Sequence, residues 1–279
     1  MLGAIIGDIA GSYYENLEMK KMKSGRSYEE KVNIMNPSIP LFTQNSSATD
    51  DSILTMAIYD ACLNDGDYEK YLKKYTEREI KKGSDKYGRN RFSPEFIKWV
   101  KGQSEGKSYG NGAAMRISPV GYLYDSLEIV KEETKKATIP SHNSKEALKS
   151  AEAISTSIYL IRNGIDKNHL KKYIEENYYS LDFDIEALRH NYKFTSKAKD
   201  TIPQAIYIFL ISKNFEDSIR KAISIGGDCD TIASITAALS EAYYGIPNHI
   251  IKEVKPYLKD YMYELLKEKY YSDKTLKKE

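Results

Sequence analysis

Apolar residues recur at intervals of three and four along most of this chain, the spacing that one face of an α-helix requires. No stretch shows the sustained alternation of apolar and polar residues that marks a strand. We therefore predict an all-α fold, a compact orthogonal array of many helices, in a single domain over residues 1–270 with a polar tail over residues 271–279. The clearest helical pattern lies in segment 145–162, with Ala147, Leu148, Ala151, Ile154, Ile158 and Ile161.

Composition excludes several classes of protein. The 279 residues carry a formal net charge of +2, so the chain lacks the basic field typical of nucleic-acid-binding proteins. Its two cysteines, Cys62 and Cys229, have no metal-binding spacing, and we expect Cys229 to face the core. The N-terminal residues lack the basic start of a signal peptide, and no apolar run is long enough to span a membrane. We therefore expect a cytoplasmic monomer with no membrane partner.

Small residues dominate positions 2–14, where Gly3, Gly7 and Gly11 recur every four residues. On a helix these glycines would lie along one face and let a second helix approach closely. Asp8 and Glu15 interrupt the apolar run. An acidic residue in such a helix is either exposed at a helix cap or buried because it has a specific role, since burying a charge is costly. We expect Asp8 to hold the first helix and a neighbouring loop in place.

Two predicted helix starts, far apart in the sequence, each combine a pair of carboxylates with a threonine hydroxyl. Carboxylate and hydroxyl oxygens are the ligands that Mg²⁺ and Mn²⁺ prefer. If the two starts meet, they could hold two cations about 3.5–4 Å apart. Acidic residues also cap helices, so two unrelated caps are the alternative on spacing alone. The residues are Thr49, Asp50 and Asp51 in the first start, and Asp228, Asp230 and Thr231, preceded by Gly226 and Gly227, in the second.

A glycine-rich loop over residues 108–116 precedes another predicted helix. Its small residues leave backbone N–H groups accessible, and a helix N-terminus attracts phosphate. Tyr109 in this loop could stack on a base or a ribose. The alternative is an ordinary surface turn. His142 lies in a predicted turn over residues 140–144, where it could contact a ligand phosphate or sugar, or be a structural histidine.

Four segments in this order make the chain resemble the ADP-ribosylhydrolase family, of the dinitrogenase reductase-activating glycohydrolase type. Each segment is modest alone, and the ordered set is specific. The resemblance implies an all-α fold whose central cleft contains two divalent cations, Mg²⁺ or Mn²⁺. The segments are Gly-Asp-Ile-Ala-Gly-Ser-Tyr-Tyr-Glu at 7–15, Thr-Asp-Asp-Ser at 49–52, Ser-Tyr-Gly-Asn-Gly-Ala-Ala-Met-Arg at 108–116, and Gly-Gly-Asp-Cys-Asp-Thr-Ile-Ala at 226–233.

The resemblance also implies roles for particular residues. Glu15 and Asp230 would be catalytic, and Glu15 matches the acid that gates the cleft in the branch of the family that cleaves O-linked ADP-ribose. The implied metal ligands are Thr49, Asp50, Asp51, Asp228, Asp230 and Thr231. The implied substrate contacts are Ser108, Tyr109, Gly110, Asn111, Gly112, Met115, His142 and Gly227, with Tyr109 as the platform for the adenine.

The implied activity is hydrolysis of the glycosidic bond between ADP-ribose and an acceptor, with a serine-type O-linked acceptor favoured over arginine. The partner would be an ADP-ribosylated protein or a small ADP-ribose conjugate. The charge indicates no nucleic-acid partner, although an ADP-ribosylated nucleic-acid end stays open as an acceptor. Two alternatives are a non-catalytic ADP-ribose reader and a metal-dependent nucleotide phosphohydrolase. The hydrolase is preferred over the reader because every expected metal ligand is present.

Overall fold

The computed structural model describes residues 1–21, 25–83 and 91–271. Within those residues the chain forms a single all-helical domain of fifteen α-helices without strands, which confirms the predicted fold class. Residues 272–279 of the predicted tail lie outside the described part. The helices are α1 (Leu2–Lys20), α2 (Tyr28–Asn33), α3 (Asp50–Leu63), α4 (Tyr68–Lys81), α5 (Pro94–Val100), α6 (Ser118–Leu123), α7 (Leu127–His142), α8 (Lys145–Arg162), α9 (Lys167–Asn177), α10 (Ile185–Asn191), α11 (Ile202–Ile211), α12 (Phe215–Ile225), α13 (Cys229–Tyr244), α14 (Asn248–Val254) and α15 (Asp260–Tyr270).

Helices α1 and α13 form the centre of the domain and touch backbone to backbone. The glycine face of α1 lies on α13, as the four-residue spacing predicts. A methyl group on Gly7 would come within 2.1 Å of the carbonyl oxygen of Ala233. A methyl group on Gly11 would come within 2.4 Å of the Cα atom of Asp230. Both helices are buried along most of their length, so this contact fixes the relative position of the acids that they carry.

Two local predictions were wrong. The stretch 20–36 is polar and rich in lysine, a composition that predicts a loop or a short irregular excursion, but it contains α2. Its capping box is formed by Ser27, whose hydroxyl accepts from the backbone N–H of Glu30, and by the Glu30 carboxylate, which accepts from the backbone N–H of Ser27. Residues 140–142 are not a turn but the last residues of α7. Pro140 has no N–H to donate to the carbonyl of Lys136, four residues earlier, and the helix nevertheless continues to His142.

None of the helices in the described part of the chain combines the length and the apolar character that crossing a bilayer requires.

The contact between α1 and α13 predicts a large effect of Gly7→Ala. The added methyl group meets backbone that cannot rotate away, so we expect the free energy of unfolding to fall by about 3 kcal/mol, the upper end for overpacking. Urea denaturation followed by circular dichroism measures it. Gly66→Ala is the matched control, since no atom lies within 4 Å there and only its positive φ of 69° opposes alanine. That variant should lose about 1 kcal/mol. Equal losses in the two variants would contradict the close helix contact.

Candidate active site

Asp8 joins α1 to the start of α3. Its carboxylate is fully buried and accepts hydrogen bonds from the backbone N–H and the hydroxyl of Thr49, at 2.9 and 2.6 Å. It also accepts from the backbone N–H of Ser52 at 3.0 Å and from the Ser52 hydroxyl. The Asp8 carboxylate on α1 therefore accepts from backbone N–H groups at the start of α3 that have no partner within the helix. In many helices the side chain of the N-cap residue does this instead. This confirms the expected role of Asp8 in holding a neighbouring segment.

The turn between α12 and α13 is built by Gly226 and Gly227, with φ of 81° and 71°, values that residues with a side chain rarely adopt. Helix α13 begins at the next residue but one, with Asp228 at its N-cap position. The Asp228 carboxylate accepts from the side-chain amide of Asn111 at 2.7 Å. Cys229 points into the core, as expected, and its sulfur lies 3.8 Å from a carbonyl oxygen of α1. Asp228 and Asp230, one residue to either side of Cys229, join the acidic cluster instead.

The two acidic helix starts meet in space. Oxygen atoms of Asp8, Asp51 and Asp230 lie within 4.8 Å of one another, and so do oxygen atoms of Glu15, Asp228 and Asp230. Asp230 belongs to both groups of three. The alternative of two unrelated caps fails, because the N-cap side chains of the two helices, Thr49 and Asp228, make no capping hydrogen bond.

Burial and mutual repulsion make this cluster unfavourable for carboxylates without a counter-charge. Burial raises the pKa of Asp51 well above its usual value, and the carboxylates of Asp8, Asp50 and Asp228 raise it further. The pKa of Asp230 is likewise raised well above its usual value, first by burial and then by the nearby Glu15. One oxygen of Asp51, Oδ1, is buried with no hydrogen-bond partner in the described structure. A hard divalent cation fits this set, since it would occupy the orphaned oxygen and offset the repulsion.

The other expected metal ligands lie at the edge of the cluster. Burial, followed by the charges of Asp8 and Glu15, raises the pKa of Asp50 well above its usual value, although Asp50 belongs to neither group of three. The Thr49 hydroxyl is engaged by Asp8, and the Thr231 hydroxyl donates to Asp51 at 3.3 Å. Asp8 and Glu15 are the cluster members that the two-motif pattern lacked. In the sequence, each stands out as an acidic residue in a helix whose other residues are mostly small or apolar.

The loop 108–116 lies against the acidic cluster through the contact between Asn111 and Asp228. Its segment Asn111–Ala113 is a short 3₁₀ turn. The N–H of Gly110 donates to the Ser108 hydroxyl at 3.2 Å, and the N–H of Asn111 donates to the Ser196 carbonyl at 2.8 Å. We expected these two backbone amides to be accessible to a phosphate, but both already donate hydrogen bonds within the protein.

The remaining residues of the expected substrate set divide between surface and core. The Tyr109 side chain is 62% exposed, as a stacking platform requires, whereas Met115 is buried. Gly227 faces the ring of Tyr192, and a methyl group on Gly227 would come within 2.5 Å of that ring. His142 lies at the end of α7 with its ring edge beside Gly112, so the loop and the histidine are neighbours despite the wrong prediction for residues 140–144.

The carboxylates gathered at the starts of α3 and α13 give this all-helical domain a candidate site for divalent cations. A sequence model described as ADP-ribosylglycohydrolase matches residues 1–277, and the chain belongs to that family.

Characterised relatives are distant but match most of the chain. ADP-ribosylhydrolase ARH3 of Mus musculus is 25% identical, over 88% of this chain and 83% of its own length. ADP-ribosylarginine hydrolase Tri1 of Pseudomonas putida is 24% identical, over 88% of this chain and 70% of its own length. A solved structure described as an ADP-ribosylglycohydrolase-related protein complex covers 90% of both chains with a TM-score of 0.63 and 18% identity, and it supports the fold alone.

The raised pKa values predict how stability depends on pH when metal is chelated. An unfolded aspartate titrates near pH 4. Between that value and the raised pKa values of Asp51 and Asp230, the folded protein holds more protons than the unfolded chain, so stability falls as pH rises through this window. Cation binding displaces those protons. Mg²⁺ should therefore raise the melting temperature more at about pH 7 than at about pH 5, measured by thermal unfolding with and without chelator. An equal increase at both pH values, or one that persists in Asp230→Asn, would contradict the assignment.

Proposed function

We propose that this protein is a divalent-metal-dependent hydrolase that cleaves the glycosidic bond between ADP-ribose and an acceptor and so reverses ADP-ribosylation. The observation that carries the proposal is the cluster of five carboxylates, four of them buried, in which Asp230 belongs to both groups of three. A protein that only binds ADP-ribose has no need of such a cluster, since unscreened buried carboxylates lower its stability. Family membership supports the same chemistry.

We assign the cations to the two acidic helix starts, with Mg²⁺ or Mn²⁺ as the ion. When bound, such cations supply Lewis-acid polarisation and a more acidic water. Asp230 would be a shared ligand, since it belongs to both groups of three, and Asp51 a primary ligand, since its Oδ1 atom is buried without a hydrogen-bond partner in the described structure. Asp8 would act through Thr49 and Ser52, by keeping the start of α3 in place. The remaining proposed ligands are Thr49, Asp50, Asp228 and Thr231.

Glu15 is our candidate for moving the proton. It lies on the same helix as Asp8, two turns further on, and its carboxylate reaches Asp228 and Asp230. Unlike Asp51, Glu15 is only partly buried, so it lies at the solvent-accessible edge of the acidic cluster. A carboxylate in that position can transfer a proton to or from the reacting centre, in a cleavage that passes through an oxocarbenium-like transition state.

The loop 108–116 is our candidate for holding ADP-ribose. Tyr109 would stack on the adenine, because its ring is exposed at the rim. The amides of Gly110 and Asn111 are engaged within the protein, so we assign the diphosphate to the following amides, Gly112 and Ala113, and to the Ser108 hydroxyl. His142 and Gly227 would border the sugar and phosphate from the other side.

Asp230→Asn tests the metal-dependent reaction. The variant should bring Mg²⁺-dependent release of ADP-ribose from an ADP-ribosylated peptide to background and weaken metal affinity at least about tenfold. Asp182→Asn is the matched control, an exposed aspartate outside the cluster, and should behave as wild type. The products decide between functions when release is followed by mass spectrometry. Free ADP-ribose supports the hydrolase, AMP supports a phosphohydrolase, and binding without release supports a reader.

Glu15→Gln tests the proton-transfer assignment and the acceptor. We expect the rate to fall by about a hundredfold to ten-thousandfold while ADP-ribose affinity stays within about threefold. The favoured acceptor is an O-linked serine-type ADP-ribose rather than ADP-ribosylarginine. A panel of peptides that differ only in linkage, assayed with the wild type and this variant, measures both. Preference of the wild-type protein for the arginine linkage would contradict the proposed acceptor. An unchanged rate in the variant would contradict the proposed role of Glu15.

A further inference from the structure

Arg116, directly after the glycine-rich loop, is a fully buried charge outside the acidic cluster. Its Nη2 atom donates to the carbonyl of Ala137 at 3.2 Å and to the hydroxyl of Ser141 at 2.7 Å. In the described structure its Nε and Nη1 atoms have no hydrogen-bond partner. The guanidinium lies 5.8 Å from the ring centre of Phe96, which offsets part of the burial cost. Burial lowers the pKa of Arg116 to about 9, so the group is still charged at neutral pH.

Chemistry determines which group donates in each hydrogen bond of the Ser141 hydroxyl. A guanidinium can only donate, so the Ser141 hydroxyl oxygen accepts from Arg116. The same oxygen lies 2.8 Å from Nδ1 of His142. Within the described part of the chain, no other acceptor is available to the single Ser141 hydroxyl proton. If Nδ1 carried the imidazole proton, that hydroxyl proton would be buried without a partner, at a cost of about 1–3 kcal/mol. The hydroxyl therefore donates to Nδ1, and the imidazole proton resides on Nε2.

The Nε2 edge of His142 faces the proposed ADP-ribose loop. A methyl group on Gly112 would come within 2.9 Å of Nε2 and 3.2 Å of Cε1, so the glycine leaves space beside this edge of the ring that a side chain would fill. Burial, followed by the charge of Arg116, lowers the pKa of His142 well below its usual value. The imidazole is therefore neutral, and its one N–H group lies beside the loop.

We propose that Arg116 is a positioning residue that, through Ser141, fixes His142 as the neutral Nε2–H tautomer and so presents a hydrogen-bond donor to a phosphate or sugar oxygen of ADP-ribose at Gly112. The identity of the ligand rests on the proposed function, whereas the tautomer does not. The fixed direction of the donor matters because a substrate oxygen can only accept, and the other tautomer would present a lone pair to it.

Nitrogen NMR of the ligand-free protein, labelled with ¹⁵N-histidine, tests the tautomer directly. The chain has four histidines, and the spectrum of His142→Gln identifies the His142 signals. At neutral pH we expect Nε2 to be protonated and Nδ1 not. A proton on Nδ1, or on both nitrogens, would overturn the proposal. Because no substrate is present, this result is independent of whether the protein hydrolyses ADP-ribose.

Titration calorimetry with ADP-ribose tests the relay. We expect Ser141→Ala and Arg116→Met each to weaken binding about fivefold to tenfold, the effect of one hydrogen bond. His142→Leu should weaken it about tenfold, and His142→Gln, which keeps a donor, less than about threefold. Ser150→Ala is the matched control, a buried serine bonded only to Ala147 of its own helix, and should bind as wild type. Wild-type affinity in Ser141→Ala would overturn the relay, as would equal losses in His142→Gln and His142→Leu.

Discussion

The contact between α1 and α13 is the constraint on which the rest of the structure depends. Gly7 and Gly11 bring the two backbones so close that no side chain fits between them. This proximity places Asp8 and Glu15, from one end of the sequence, against Asp230, from near the other end. Cores transmit small displacements because they are close-packed. A shift of the helices by the width of one methyl group would therefore separate the carboxylates as well as weaken the core.

Hydrogen bonds to neighbouring residues hold the acidic cluster in place. The Asp8 carboxylate accepts from Thr49 and Ser52, and Asn111 donates to one oxygen of Asp228. Within the described residues, one oxygen of Asp51 is buried without a hydrogen-bond partner. Such an arrangement is costly for the metal-free chain and favourable once cations are bound, because the opposite charges then offset desolvation and repulsion. A geometry prepared for cations would therefore lower the stability of the metal-free chain.

Periodicity and composition predicted most of the helices and both acidic starts, because these features are local in sequence. The role of Asp8 depended on partners more than forty residues away, and spacing alone could only suggest that the acid was buried for a reason. Helix α2 had a local signal, the Ser27 capping box, but the lysines around it outweighed that signal. The chain from Arg116 through Ser141 to His142 could not be predicted, since it needs the end of α7 to lie beside the glycine-rich loop, and Pro140 indicated that this helix had already ended.

We propose that packing of α1 on α13 assembles one two-cation centre in which Asp230 is shared. Calorimetric titration of Mn²⁺ into chelator-treated protein tests it most directly, with Asp182→Asn as the matched control. We expect two cations per chain in the wild type and the control, and loss of high-affinity binding at both positions in Asp230→Asn. No specific binding in the wild type, or two undiminished sites in Asp230→Asn, would contradict it.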